Sequence, residues 1–204
     1  MKRLELVLFR GRASHAPGDT LVVPLPSDER PLRGDAGEVD WRVCGAISRM
    51  LLSGEVTGTA GEAILLPGLR PLRVARVLLL GIGPARSLPG RTLQNAFVDL
   101  AERLLALRSD RVVLALPGAI HLENDGELVL RGCMQALSAA RGFGLLRVVI
   151  PGAAGARAAA IDQALDTVAA DAESRRISLH ARWHDADRDL TSPPPPPLAP
   201  TASA

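Results

Sequence analysis

Apolar residues along the chain fall into short runs typical of strands and into longer stretches with helical spacing. Seven runs have the length and composition of strands, at residues 4–9, 20–25, 62–66, 74–80, 111–116, 145–150 and 177–183. Four stretches have helical periodicity, at residues 35–54, 92–104, 124–140 and 157–170. From about residue 75 strands and helices alternate, which predicts an α/β fold with a mostly parallel mixed sheet flanked by helices. We expect the two N-terminal strands to extend that sheet as its mixed edge.

Local signals refine these boundaries. Asp35 and Glu38 have capping-box spacing, so Asp35 is the expected N-cap of one helix that continues to Gly54. Thr92 is the expected N-cap of the next helix, and a second capping box opens at Asn124. The run at residues 74–80 is apolar at nearly every position, which indicates a strand buried on both faces.

The C-terminal end differs in composition from the rest of the chain. From about residue 189 it is rich in Pro, Ser, Thr and Ala, with five consecutive prolines at residues 193–197. Such a composition buries too little apolar surface to order itself, and consecutive prolines favour an extended polyproline helix. We therefore predict an α/β domain over residues 1–188 and a disordered Pro-rich tail over residues 189–204.

Composition narrows the possible partners. Aromatic residues make up 2% of the chain and Tyr is absent, so few rings are available to stack on bases. The net charge of +2 gives no strong field, which makes a nucleic-acid partner unlikely without excluding one and argues against a membrane partner. The first apolar run is too short for a signal sequence or a membrane span, so we expect a cytoplasmic protein. Cys44 and Cys133 lie on apolar helical faces and are expected to be buried free thiols.

Four segments together resemble one known family. They are residues 31–34, 38–41, 61–66 and 76–83, the last of which contains Leu-Leu-Leu-Gly-Ile-Gly. The chain resembles the N-terminal domain of the leucyl (cytosol) aminopeptidase family over about two thirds of its length. This resemblance implies a three-layer, macro-domain-like α/β fold.

In that family, catalysis belongs to a C-terminal domain that holds two metal ions around an Asn-Thr-Asp-Ala-Glu-Gly-Arg motif. That motif does not occur in the 204 residues, and the only lysine is Lys2. Two-metal hydrolysis needs several convergent carboxylates. We therefore expect no enzymatic activity, no catalytic residue, no metal site and no cofactor, and no functional residue of the family can be assigned to this chain.

Two glycine segments are the candidate ligand-binding loops. Gly81 and Gly83 follow a buried strand, where backbone N–H groups can approach a phosphate. Pro84 removes one donor, however, and the next helix begins well after the glycines, so a structural turn is the favoured interpretation. Gly152 and Gly155 join a strand to a helix but lack the Lys-Ser/Thr pair of a P-loop, so a plain turn is favoured there too.

Other polar residues were weighed as site candidates. Asp19 or Asp28 could serve as the aspartate that macro folds place near ADP-ribose. His180 and His184 have the spacing of a helical metal pair, but their segment is predicted to be a strand, which favours a solvated run. Ser14 and His15 lie with Asp19 in one loop, and a catalytic triad there is given little weight. Further basic residues, which could contact DNA but more often serve solubility, are Arg70, Arg73 and Arg76.

These features support a non-catalytic, stand-alone relative of the aminopeptidase N-terminal domain, acting as a protein-interaction, assembly or regulatory module. We expect self-association or docking to an aminopeptidase-like paralogue, since the family forms hexamers. Edge strands are the natural contact surfaces. Two alternatives stay open: a module that binds a nucleotide or ADP-ribose, and a non-catalytic subunit of a split metallo-aminopeptidase.

Overall fold

The computed structural model describes residues 2–87, 91–118, 128–132, 145–150, 166, 169 and 177–185; at residues 2–3, 87, 91–93, 145–147 and 177–185 only the backbone is described. Its strands are β1 (Lys2–Arg10), β2 (Thr20–Pro26), β3 (Ala63–Pro67), β4 (Arg76–Gly83), β5 (Arg111–Leu114), β6 (Leu145–Ile150) and β7 (Ile177–Asp185). Its helices are α1 (Gly34–Arg42), α2 (Ala46–Ser53) and α3 (Arg91–Ala106). Residues 128–132 are also helical. All seven strands predicted from the apolar runs are confirmed.

The strands form one sheet in the order β3-β4-β2-β5-β6-β1-β7. Every neighbouring pair is parallel except β3 and β4, which are antiparallel. The mostly parallel mixed sheet is therefore confirmed, but the prediction that the two N-terminal strands form its mixed edge is wrong. Both strands are apolar on both faces and occupy interior positions, where helices cover both sides of a parallel sheet. The antiparallel edge is β3, which is only partly buried.

Helices on both faces give the fold its three layers. One hydrophobic cluster joins the sheet to α3 and to residues 128–132, with Leu80, Phe97 and Leu104 among its members. The other cluster joins the opposite face to α1 and α2, with Leu79 and Ile47 among its members. Successive strand residues point to opposite faces, so Leu79 and Leu80 belong to different clusters. The predicted burial of β4 on both faces is confirmed.

The helix predicted over residues 35–54 is two helices. Cys44 has a φ of 56° and Gly45 a φ of 74°, and these left-handed conformations separate α1 from α2. Cys44 lies at this break and is exposed, so its predicted burial is wrong; Cys133 lies outside the described residues. Gly54, with a φ of 77°, caps the end of α2 as predicted.

The two N-cap predictions that can be compared with the structure are wrong. The N-cap of α1 is Arg33, which makes no side-chain capping bond, and Asp35 lies inside the first turn. Its carboxylate instead accepts the backbone N–H of Leu116, a contact with a different element. Thr92 is the second residue of α3. The capping box at Asn124 and the predicted tail lie outside the described residues, so the boundary at residue 188 stays a prediction.

Candidate functional site

The carboxyl ends of β2, β4 and β5 are the first candidate site, because ligands of open parallel sheets bind at such an edge. Three carboxylates accept hydrogen bonds from backbone N–H groups at this edge. Asp28 accepts the N–H of Ala85 at 2.6 Å, and Glu29 accepts the N–H of Arg33 at 3.1 Å. Asp35 accepts the N–H of Leu116 at 2.9 Å. This edge therefore already satisfies three donors with negatively charged groups from the chain itself.

Close backbone packing leaves little space between the segments that follow β2 and β5. Gly34 has a φ of 56°, and a Cβ placed on it would lie 2.9 Å from the Cα of Gly118. A Cβ on Gly118 would in turn lie 2.7 Å from the Cβ of Arg33. The apolar cavity between these strands and α3 measures about 20 Å³. That volume holds about one water molecule.

Gly81 and Gly83 lie inside β4, so the turn predicted at this position is wrong. The N–H of Gly81 donates to the carbonyl of Glu62 at 2.8 Å, and the N–H of Gly83 donates to the carbonyl of Gly58 at 2.9 Å. A Cβ on Gly81 would lie 2.1 Å from the carbonyl oxygen of Thr59. Close approach of the 57–62 loop thus accounts for this glycine, which agrees with the favoured structural role. Gly152 and Gly155 lie outside the described residues, so the plain turn favoured there stays a prediction, as does the alternative of ligand binding.

Asp35 is the titratable group of this edge with a clearly raised pKa. The pKa of its carboxyl is raised from 3.8 to about 6, chiefly by burial; the hydrogen bond from Leu116 lowers it, and the nearby Glu38 makes a smaller contribution that raises it. The folded carboxyl therefore holds its proton more tightly than the unfolded one does. By linkage, its contribution to stability is most favourable below pH 3.8 and becomes unfavourable as the pH rises to about 6.

We expect Asp35→Asn to stabilise the domain by about 2 kcal/mol near neutral pH and to change little near pH 4. Asparagine removes the buried charge but keeps an oxygen that can accept the N–H of Leu116. Urea denaturation at both pH values measures the difference. Asp99→Asn is the matched control, because Asp99 is paired with Arg103 at 2.9 Å on the surface of α3. Equal effects at both pH values would contradict the assignment of the shift to Asp35.

A second candidate site is a groove beside α1 and the α1–α2 break, here called the Trp41 groove. It has a volume of about 580 Å³ and is lined by Pro31, Leu32, Gly37, Asp40, Trp41, Arg42, Cys44, Gly45, Ser48 and Pro71. The Trp41 side chain is 71% exposed, and the Arg42 guanidinium lies over its ring at 5.9 Å from the centroid. Trp41 entered the sequence analysis only as part of a family motif, so this surface was not predicted.

Asp40 is a buried residue that lines the Trp41 groove. Its carboxylate accepts the backbone N–H groups of Ile47 at 2.8 Å and Ser48 at 3.1 Å, and the Ser48 hydroxyl at 2.5 Å. The N-cap residue of α2 is Gly45, which has no side chain that could accept these N–H groups. Asp40, which lies in the preceding helix α1, accepts them instead. The carboxylate is buried and fully engaged, and the groove therefore offers apolar and cationic groups to a ligand.

The remaining sequence candidates do not converge. The Ser14 hydroxyl donates to Glu38 at 2.5 Å, while His15 contacts Arg42. The Asp19 carboxylate accepts the N–H groups of residues 110 and 111 at the amino end of the strands, the edge opposite Asp28. No triad of Ser14, His15 and Asp19 is therefore assembled. Arg76 donates to the Thr20 hydroxyl, whereas Arg70 is exposed.

His180 and His184 both lie in β7, in register with Glu5 and Phe9 of β1. Four residues along a strand cover about 13 Å, too far for two side chains to bind one ion without a bend. Within the part of the chain that the structure describes, no cluster of three or more His, Cys, Asp or Glu residues could hold a metal ion. In the same part, no helix has the length and apolar character needed to cross a membrane.

The chain has a macrodomain-like α/β fold, and solved structures of other proteins have a similar fold. The Oceanobacillus iheyensis macrodomain matches with a TM-score of 0.61 at 14% identity, over 81% of this chain and 93% of that one. A tomato leucine aminopeptidase variant matches with a TM-score of 0.54 at 16% identity, over 80% of this chain and 36% of that one. The three-layer, macro-domain-like fold expected from the resemblance is thus confirmed.

Residues 8–140 match the model of the cytosol aminopeptidase family, N-terminal domain, and the chain belongs to this family. A probable cytosol aminopeptidase of Pseudomonas syringae pv. tomato is 37% identical over 97 residues, which is 48% of this chain and 19% of the relative. The cytosol aminopeptidase of Pseudomonas aeruginosa strain PAO1 is 33% identical over 113 residues, 55% of this chain and 21% of the relative. The chain spans about a fifth of the length of these curated relatives.

Proposed function

We propose that this domain is a non-catalytic protein-interaction module of the cytosol aminopeptidase family, and that it binds another polypeptide through the α1–α2 face. The observation that carries the proposal is the exposed indole of Trp41. The whole chain has three Phe and two Trp, and one of these few rings is 71% exposed on a helix. Tryptophan contributes a large rigid apolar surface and is enriched among the residues that dominate protein interfaces.

The surroundings of Trp41 also suit a protein partner. Leu52, on the adjoining helix α2, is 87% exposed, so this pair of helices presents two large apolar side chains. Arg42 lies beside the indole and supplies a polar rim. An interface of this kind combines an aromatic anchor with charged residues at its margin.

The partner we propose is a polypeptide of the same family, either a second copy of this chain or a catalytic aminopeptidase chain. Light scattering of the full chain over a series of concentrations tests self-association. Co-purification with a catalytic chain, followed by hydrolysis of a chromogenic leucine amide with Mn²⁺ or Zn²⁺, tests a role as a non-catalytic subunit. We expect no turnover by this chain alone. The proposal would be wrong if light scattering showed a monomer at every concentration and no catalytic chain co-purified with it.

Trp41→Ala is expected to weaken the association constant by about 30-fold, since an aromatic anchor contributes on the order of 2 kcal/mol. Val98→Ala is the matched control, because Val98 is 51% exposed on α3, which covers the opposite face of the sheet. Analytical ultracentrifugation of both variants measures the difference. If both substitutions have the same effect, the interface lies elsewhere.

Binding of a nucleotide or ADP-ribose is the second candidate function. It is suggested by structural neighbours: a Trypanosoma brucei macrodomain was solved in complex with ADP, and an Oceanobacillus iheyensis macrodomain variant with ADPR. In this chain the N–H groups at the carboxyl edge of the sheet already donate to the carboxylates of Asp28, Glu29 and Asp35. A phosphate would have to displace a carboxylate and approach the others at an electrostatic cost.

Calorimetric titration with ADP-ribose, ATP and NAD is therefore expected to show no saturable heat at the carboxyl edge. Inorganic phosphate at the same ionic strength is the control for a weak anion effect. Saturable binding of any of the three nucleotides, without a matching phosphate signal, would replace the protein-interaction proposal with this alternative.

A further inference from the structure

The Trp41 groove has the chemistry of a site for an extended proline segment. Its apolar lining includes Pro31, Leu32, Pro71 and the exposed indole of Trp41. Proline-rich segments dock in aromatic-lined grooves because their extended conformation is already formed before binding. Proline residues offer carbonyl acceptors and no backbone donors, and an indole N–H is a donor only. The two surfaces are therefore complementary in hydrogen bonding.

The chain carries such a segment after β7, and the structure describes the position of β7 relative to the groove. The last described strand, β7, ends at Asp185, which is in register with Arg10 at the end of β1. A few residues after Arg10, the turn at Ala13–His15 packs against α1, and His15 contacts Arg42 next to Trp41. The carboxyl end of β7 therefore lies on the same side of the molecule as the Trp41 groove.

Chain length and charge both permit the contact. Residues 186–192 join Asp185 to the five prolines at 193–197, and an extended linker of that length covers up to about 25 Å. The linker contains two aspartates, Asp187 and Asp189, and one arginine, Arg188, so it carries a net negative charge. Arg12, which is exposed, and Arg42 lie along the route from Arg10 to the groove. Opposite charges on linker and surface favour the path without requiring a specific ion pair.

We propose that residues 193–197 of this chain bind in its own Trp41 groove, as an extended proline helix stacked on the Trp41 indole. This inference does not rest on the proposed protein-interaction function, because it concerns the chain's own segment. If both are correct, the proline segment and a protein partner compete for Trp41. Removal of the prolines would then strengthen partner binding. The contact between the proline segment and the Trp41 groove would in that case regulate the interaction with the partner.

The test uses the full chain and the environment of Trp41. One variant replaces Pro193, Pro194, Pro195, Pro196 and Pro197 with serine, and a matched control carries Thr201→Ala and Ser203→Ala, outside the proline run. In a Trp183→Phe background, fluorescence reports Trp41 alone. An intramolecular segment acts at an effective concentration near 1 mM, so even weak docking protects the indole, and loss of the prolines should raise acrylamide quenching about twofold.

A second measurement avoids the Trp183 substitution. The native chain has two tryptophans, so its NMR spectrum contains two indole N–H signals, and Trp41→Phe identifies one of them. That signal should shift in the serine variant and not in the control, at every protein concentration. A peptide of residues 190–199 added to the serine variant should restore the original position. An unchanged signal would overturn the proposal, and a shift that depends on protein concentration would assign the groove to the proline segment of a second copy.

Discussion

Replacing Gly81 with alanine is expected to lower the free energy of unfolding by about 3 kcal/mol. The added Cβ would lie 2.1 Å from the carbonyl oxygen of Thr59 and 2.9 Å from the carbonyl carbon of Gly58. Both atoms belong to the backbone of the 57–62 loop, which is held by hydrogen bonds from the N–H groups of Thr57 and Gly58 to the Glu62 carboxylate. The loop must therefore move away from β4. Urea denaturation followed by circular dichroism measures the loss.

Gly54→Ala is the matched control for this prediction. Gly54 has a left-handed backbone conformation, with a φ of 77°, whereas Gly81 does not, and a Cβ on Gly54 would meet no atom within 4 Å. Its replacement should cost about 1 kcal/mol, from backbone strain alone. If Gly81→Ala were no more destabilising than Gly54→Ala, close approach of the 57–62 loop to β4 would not be the reason for a glycine at position 81.

Asp40→Ala is expected to destabilise the domain by about 2 to 3 kcal/mol. The substitution leaves the backbone N–H groups of Ile47 and Ser48 without their acceptor at the start of α2. Ile47 is 2% exposed, so water has poor access to replace the lost bond at that residue. Thermal and urea unfolding both measure the change, and α2 should lose amide protection first in hydrogen exchange.

Ser48→Ala separates the contribution of the carboxylate from that of the side-chain hydroxyl. It removes only the 2.5 Å hydroxyl bond to Asp40 and keeps both backbone bonds, so it should cost about 1 kcal/mol. Asp40→Asn, which keeps an acceptor oxygen, should fall between the two. Comparable losses from Ser48→Ala and Asp40→Ala would show that capping of α2 does not depend on the carboxylate.

The sequence was sufficient to predict the seven strands because their signals are local. A run such as residues 74–80 is apolar at nearly every position, and such runs form buried strands in almost any arrangement. The break between α1 and α2 was not predictable in the same way. The apolar stripe continues through Val43 to Ile47, while the break depends on a non-glycine residue, Cys44, at a φ of 56° and on a carboxylate seven residues before Ile47.

Strand order and the surface sites depend on contacts between distant residues. The patterns of β1 and β2 indicate burial but do not say which strands lie beside them. Asp35 had the spacing of a helix cap, yet its partner is Leu116, 81 positions away. Trp41 entered the sequence analysis only as part of a family motif, and its exposure follows from the way α1 packs on the sheet. No local signal in the sequence distinguishes these outcomes.

The position of β1 has a consequence for how the polypeptide is made. This first strand pairs with β6 and β7, at residues 145–150 and 177–185. A ribosome therefore releases β1 long before its neighbours are made, and until then the N–H and C=O groups along both edges of β1 have no strand to pair with. The segment matched by the family model stops at residue 140, ahead of both neighbours. A recombinant fragment cut at that point would leave β1 with two bare edges and a tendency to aggregate.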